Sequence, residues 1–275
     1  HKSDTIRKLF PLILLMCVYS YIVAYIEIEF MNLSENSHLK NITIMHGLLS
    51  FVISMLLVFR TNTAYDRWWE GRKQWGSLVN SSRGLAIKLS AILSPDDTNN
   101  RNFFKKIIPA FAEALKNHLR SEETQLQLFE DADKDYSIDH SKHIPNQVSL
   151  LMNKRLQNML RNGKISEEQM LFINTELQSF NDICGACERI KNTPIPYSYS
   201  AFLKKFIFIY VVTLPFGYVF SLGYYVIPVI AFIFYVIASL ELIAEEIEDP
   251  FGTDANDLPI DKISKNIEWN VQELL

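Results

Sequence analysis

A chain of 275 residues with a formal net charge of −4 lacks the basic footprint of a nucleic-acid binder, and no lysine-rich tail supplies one. Three cysteines, Cys17, Cys184 and Cys187, are too few for a disulfide framework. The hydrophobic share of 48% is ordinary for a soluble protein, but apolar residues gather near both ends while charge sits between them. That distribution directs attention to membrane-crossing segments.

Phe10 to Ile26 is almost wholly apolar, with Tyr19, Tyr21 and Tyr25 towards its far end. No small-residue cleavage pattern follows it, so it is expected to be retained as a membrane helix rather than removed as a signal peptide. Residue 1 is His rather than Met, as expected of a piece of a longer protein. Ile42 to Phe59 forms a second span, Phe206 to Leu222 a third and Tyr224 to Ile243 a fourth. Each is near the ~20 residues that cross roughly 30 Å of hydrocarbon. Lys2, Arg7 and Lys8 precede the first span, Arg60, Arg67, Arg72 and Lys73 follow the second, and Lys204 and Lys205 precede the third. The loop between spans one and two has Lys40 alone against Glu27, Glu29 and Glu35. Positive residues stay inside, so both termini and residues 61–200 are expected in the cytoplasm.

The expected fold is an all-α membrane protein. Residues 1–60 hold an N-terminal segment with spans one and two, 61–200 a helical cytoplasmic domain, 201–243 spans three and four, and 244–275 an acidic loop and a C-terminal cytoplasmic helix. Span two meets no breaker after Phe59, so its helix is expected to continue towards Leu93. A turn at Ser94 to Asp97 precedes a helix over Asn102 to Leu119. Residues 120–144 are acidic and irregular. Another helix runs from Pro145 to Asn162, and Ser166 with Gln169 makes a capping box that opens a helix to about Lys191. Pro194 and Pro196 break the chain before span three. No strand alternation and no internal repeat is evident.

Four features could carry function. Phe51, Met55 and Phe59 repeat at i, i+4 and i+8 and share a helix face. Several copies around an axis would stack apolar rings that resist wetting. Periodicity by itself favours lipid contact or internal packing for such residues. Adjacent Trp68 and Trp69 point about 100° apart on a helix, so at least one should pack against another element. The carboxylates from Glu241 to Asp257, around Pro250 and Gly252, suit a hard cation such as calcium, although an acidic run is more often a solvated helix end. Cys184 and Cys187 fall on an apolar seam with Met170, Ile173, Leu177 and Phe180, which makes them packing residues rather than a redox or zinc pair. Six scattered histidines show no metal motif, and no catalytic triad order or phosphate loop marks an enzyme.

Together, Arg67, Trp68 and Trp69 after span two, the run Gly185 to Ile190, Pro194 to Tyr197, and Glu245 to Gly252 with Asp254 and Asp257 resemble the bestrophin family over nearly the whole chain. The resemblance implies a homopentamer with a single axial pore, in a bacterial inner membrane, partnered by lipid, further copies of itself and small monovalent ions. It places the hydrophobic neck on Phe51, Met55 and Phe59, reversing the balance that periodicity gave. Aligned on Gly163 and Ile165, the family's cytoplasmic aperture falls on Gln169, where relatives commonly carry an aliphatic residue. In animal bestrophins the acidic loop forms a calcium clasp. Its side-chain positions match Asp254 and Asp257, and its carbonyl positions match Glu246 and Asp249. Thr253, Ala255 and Asn256 make the loop less acidic than theirs, so no cofactor is required and a structural role at a subunit contact is as well supported as calcium.

Glu27, Glu29 and Glu35 near the outer entrance would concentrate cations, and no Lys or Arg lies in the neck segment, so cations are favoured over anions. An anion channel of the same architecture, and a membrane scaffold or accessory subunit without conduction, are the alternatives.

Overall fold

The computed structural model describes residues 5–30, 42–122 and 138–275. Lys2, Glu35, Lys40 and residues 123–137 of the acidic stretch lie outside the described residues. Among the described residues there are helices and connecting turns but no strand. In chain order the helices are α1 (Thr5–Tyr25), α2 (Ile42–Ile92), α3 (Thr98–Arg120), α4 (Ile144–Arg161), α5 (Glu167–Asn192), α6 (Tyr197–Leu222), α7 (Val226–Glu248) and α8 (Ile260–Leu274). A π-helical turn, Ile26–Phe30, extends α1, and a 3-10 turn, Gly223–Tyr225, joins α6 to α7.

Among the described residues, three helical stretches are long and apolar enough to cross a membrane: Thr5–Phe30, Ile42–Ile92 and Tyr197–Glu248, the last holding both α6 and α7. With 51 residues, α2 is about 75 Å long at 1.5 Å per residue, more than twice the hydrocarbon thickness.

Contacts divide the chain into two compact units. The first comprises His1–Trp68, Pro194–Asp249 and Asp254–Asn256. Here α1 lies against α7 and α6, and α6 against α7. Met16, Ile53, Leu57, Ile207, Leu214 and Ile230 share its core. Lipid gives little hydrophobic drive between helices, so close backbone approach and interhelical hydrogen bonds matter. Both are present. The Tyr19 hydroxyl donates to the Val212 carbonyl at 2.9 Å, and Tyr199 to the Leu56 carbonyl at 3.1 Å. Thr43 Oγ1 donates to the Gly217 carbonyl at 3.0 Å, across a contact so tight that a Cβ at Gly217 would stand 2.9 Å from that hydroxyl.

The second unit comprises Trp69–Thr193, Pro250–Thr253 and Asp257–Leu275. Within it α3 packs on α4, α5 and α8, and α4 packs on α5. Phe104, Ile107, Ile108, Phe111 and Leu115 are fully buried at the spacing of one helical face. Phe111 meets Phe180 edge to face, with ring centroids 4.8 Å apart. The helix starts are capped. Asp97 accepts from the Asn100 amide, and Ser166 and Gln169 close the reciprocal box that their spacing predicts. Cys184 and Cys187 are buried on α5. Burial pushes the Cys184 thiol up to about 12, which leaves it inert, as a packing residue should be.

Candidate functional site

On α2 the buried stripe runs Ile53, Leu57, Arg60 and Ala64. Each of Phe51, Met55 and Phe59 stands two residues from a member of that stripe, about 160° around the helix. They are accordingly exposed by 70%, 47% and 57%. Ile44, Leu48 and Val58 extend this uncovered apolar surface. An apolar face of this extent has to be covered by lipid, by another chain, or by an axis of identical faces. Ser50 and Ser54 between the large residues bond back to the Gly47 and Ser50 carbonyls at 2.7 and 2.8 Å, which leaves the face with little free polarity.

Beside that face is a cavity of about 380 Å³, lined by Ser54, Val58, Asn62, Tyr210, Val236 and Leu240, among others. At the end of the apolar stretch comes Arg60, whose side chain is 1% exposed. Its Nη2 lies 2.7 Å from Glu248 Oε2, and its Nε lies 3.7 Å from Glu241 Oε1. In the sequence Arg60 is one of the positive residues that follow the second span, with no partner evident. The missed signal is the seven-residue spacing of Glu241 and Glu248, which puts both carboxylates on one face of α7.

The acidic run is largely neutralised by the chain itself. Glu246 is bonded by Lys8 Nζ and by Asn256 Nδ2, each at 2.6 Å. Glu248 also accepts from the Ile195 amide at 2.8 Å. Arg67 Nε donates to the Glu248 carbonyl at 3.0 Å, and Trp68 Nε1 donates to the Asn256 carbonyl at 3.0 Å. The motif residues that looked unrelated along the chain are thus hydrogen-bonded neighbours. Trp68 is the tryptophan that packs, and Trp69 is the more open one, 44% exposed. In the second unit Phe251 and Leu258 are buried against Gly71, where a Cβ would sit 3.1–3.2 Å from them. Protein partners hold the Glu246 and Glu248 side chains, whereas the calcium positions implied by the family resemblance are the Asp254 and Asp257 side chains and the Glu246 and Asp249 carbonyls.

Gln169 stands in the first turn of α5, and its Oε1 accepts from the Ser166 amide at 2.9 Å. The side chain is therefore committed to capping. Of the three acidic residues expected at the outer entrance, Glu29 is exposed and accepts from the Tyr224 hydroxyl at 3.3 Å. Glu27 is buried, with neither oxygen hydrogen-bonded among the described residues, which removes it from the water-facing set.

Long apolar helices joined to a helical unit with its own core define an integral membrane protein of the all-helical class. A family model described as bacterial/fungal bestrophin protein matches residues 1–273. A voltage-dependent anion channel-forming protein from Nostoc sp. is 37% identical over 230 residues, covering 82% of this chain and 75% of that protein. One of the same description from Escherichia coli K12 is 34% identical over 231 residues, covering 83% and 75%. A crystal structure of a mutant bacterial bestrophin homologue from Klebsiella pneumoniae superposes with a TM-score of 0.85 at 27% identity, covering 97% of this chain and 98% of that one. The chain belongs to the bestrophin family.

Proposed function

We propose that this chain forms a homopentameric channel for small monovalent ions, crossing the bacterial inner membrane four times per subunit with both termini in the cytoplasm. Family membership supports an ion channel rather than an enzyme. The observation that carries the pore assignment is the uncovered apolar face of α2 with Phe51, Met55 and Phe59 directed away from the buried stripe. Five such faces around an axis form a hydrophobic neck, which gates by excluding water. Gln169 is the candidate aperture residue, a polar one held by its cap. The acidic loop with Asp254, Asp257, Glu246 and Asp249 is read as a structural element that calcium can bind but is not required to.

Cations are favoured over anions because Glu29 faces water, and because Ile42 to Phe59 contains no Lys or Arg. The second reading, an anion channel of the same build, is favoured by the relatives described as anion channel-forming. Purified protein in planar bilayers under a sodium chloride gradient separates the two. A reversal potential near the sodium equilibrium value supports cation passage, and one near the chloride value overturns it. An absence of passive flux in liposomes would leave a scaffold as the better description.

A further inference from the structure

Three polar side chains outside the proposed pore converge on one point in the second unit. His118 stands in the last turn of α3, His143 is the N-cap of α4, and Glu188 lies near the end of α5. Glu188 Oε1 is 2.8 Å from His118 Nε2 and 2.6 Å from His143 Nε2. The two imidazoles are 4.3 Å apart and inclined by 61°, so their Nε2 edges meet at the same oxygen. All three ligand atoms lie within 4.8 Å of one another. We propose that His118, His143 and Glu188 bind one divalent transition-metal ion per subunit, zinc by preference.

The donor set selects the ion. Two imidazole nitrogens and one carboxylate oxygen are borderline ligands, which suit zinc, cobalt or nickel better than magnesium or calcium. With both imidazoles neutral the site carries one negative charge, complementary to a dication. Tetrahedral zinc with bonds of about 2.0–2.1 Å spaces its ligand atoms about 3.3 Å apart. The two contacts to Glu188 Oε1, at 2.8 and 2.6 Å, therefore open by roughly 0.5–0.7 Å to admit the ion. The side chains are 35%, 29% and 30% exposed, so an ion reaches them from solvent and a water completes the fourth position.

The end of α3 that carries His118 is held in place. Lys191 Nζ donates to the carbonyls of His118 and Leu119 and to Ser121 Oγ, fixing the end of α3. His143 Nδ1 accepts from the Asn146 amide at 3.2 Å. That bond places the ring proton on Nε2, where it now points at Glu188. Zinc at Nε2 moves this proton to Nδ1, and the cap bond is lost. Zinc binding is thus linked to loosening of the first turn of α4.

The test uses the full chain in detergent micelles, without a polyhistidine tag and stripped of metal by a chelator. Zinc is titrated by calorimetry and cobalt(II) by visible absorbance. The proposal expects one ion per subunit and the strong visible bands of four-coordinate cobalt. It also expects at least about tenfold weaker binding in His118→Gln, His143→Gln and Glu188→Gln. Absence of binding, or undiminished binding in the folded His118→Gln/His143→Gln double variant, overturns it. X-ray absorption at the zinc edge of the unsubstituted protein needs no variant. Two imidazole ligands support the site, and sulfur ligation assigns the ion to cysteine and overturns it. None of these readouts depends on ion conduction.

Discussion

Arg60 illustrates how one side chain can decide more than its exposure to water suggests. It is buried beside Glu241 and Glu248, so its charge is balanced by protein rather than by solvent. Removing one member of such a buried group strands the others, which costs about 3–5 kcal/mol. Arg60→Met is expected to lower the melting temperature in detergent far more than a surface substitution such as Lys142→Met, measured by thermal unfolding. Asp97 works at the same scale in the second unit. Burial pushes its carboxyl up, but hydrogen bonds from Asn100 and Lys164 outweigh that and hold it below the usual range. A folded-state pKa below the unfolded value gives stability that is complete above about pH 3.9 and is lost as pH falls through the folded value. Asp97→Ala is expected to cost about 1 kcal/mol at pH 7, and the gap to the parent should narrow below about pH 4. Parallel melting curves across that pH range check it.

Among the elements, α2 and α6 meet where Thr43 bonds to Gly217. The helices can approach this closely only because residue 217 has no side chain. A methyl group there would stand 2.9 Å from Thr43 Oγ1 and 3.2 Å from its backbone nitrogen, so one helix has to shift. Gly217→Ala is expected to cost about 1–3 kcal/mol by overpacking. Gly185 on α5 is the matched control, since a Cβ there meets nothing within 4 Å. Gly185→Ala should be neutral or stabilise by about 0.5–1 kcal/mol. Thermal unfolding of the two variants side by side distinguishes a packing requirement at Gly217 from a general effect of losing glycine.

For the whole molecule, the apolar face of α2 makes sense only when other molecules are counted. Phe51, Met55 and Phe59 are open in one subunit and would be enclosed in a ring of subunits. If they form the neck, each substitution to alanine widens the ring and wets it. Phe51→Ala, Met55→Ala and Phe59→Ala are each expected to raise unitary current or open probability several-fold in bilayer recordings. The mass of the detergent-solubilised assembly should stay that of the unsubstituted protein. Unchanged currents in all three would return these residues to lipid contact.

Local chemistry wrote much of the helical framework directly into the sequence. The capping box at Ser166 and Gln169, the apolar seam of α5 with its two cysteines, and the unbroken run of α2 past Phe59 were legible because propensity, periodicity and caps act within a few residues. The helix starts at Thr98 and Ile144 were placed within a few residues, since end turns depend on caps that only coordinates show. Arg60 with its carboxylates, Trp68 with the Asn256 carbonyl, and Gly217 with Thr43 were not legible, because each joins segments far apart in the chain. His118, His143 and Glu188 are the extreme case. Glu188 follows the two histidines by 70 and 45 residues on separate helices, and three isolated polar residues carry no spacing pattern. The sequence by itself determined where helices form and which stretches suit a membrane, because hydropathy and local hydrogen bonding need no partner at a distance. Only the tertiary structure decided which charges are buried, which glycine admits a close helix contact and which side chains meet, because those depend on how separate helices pack.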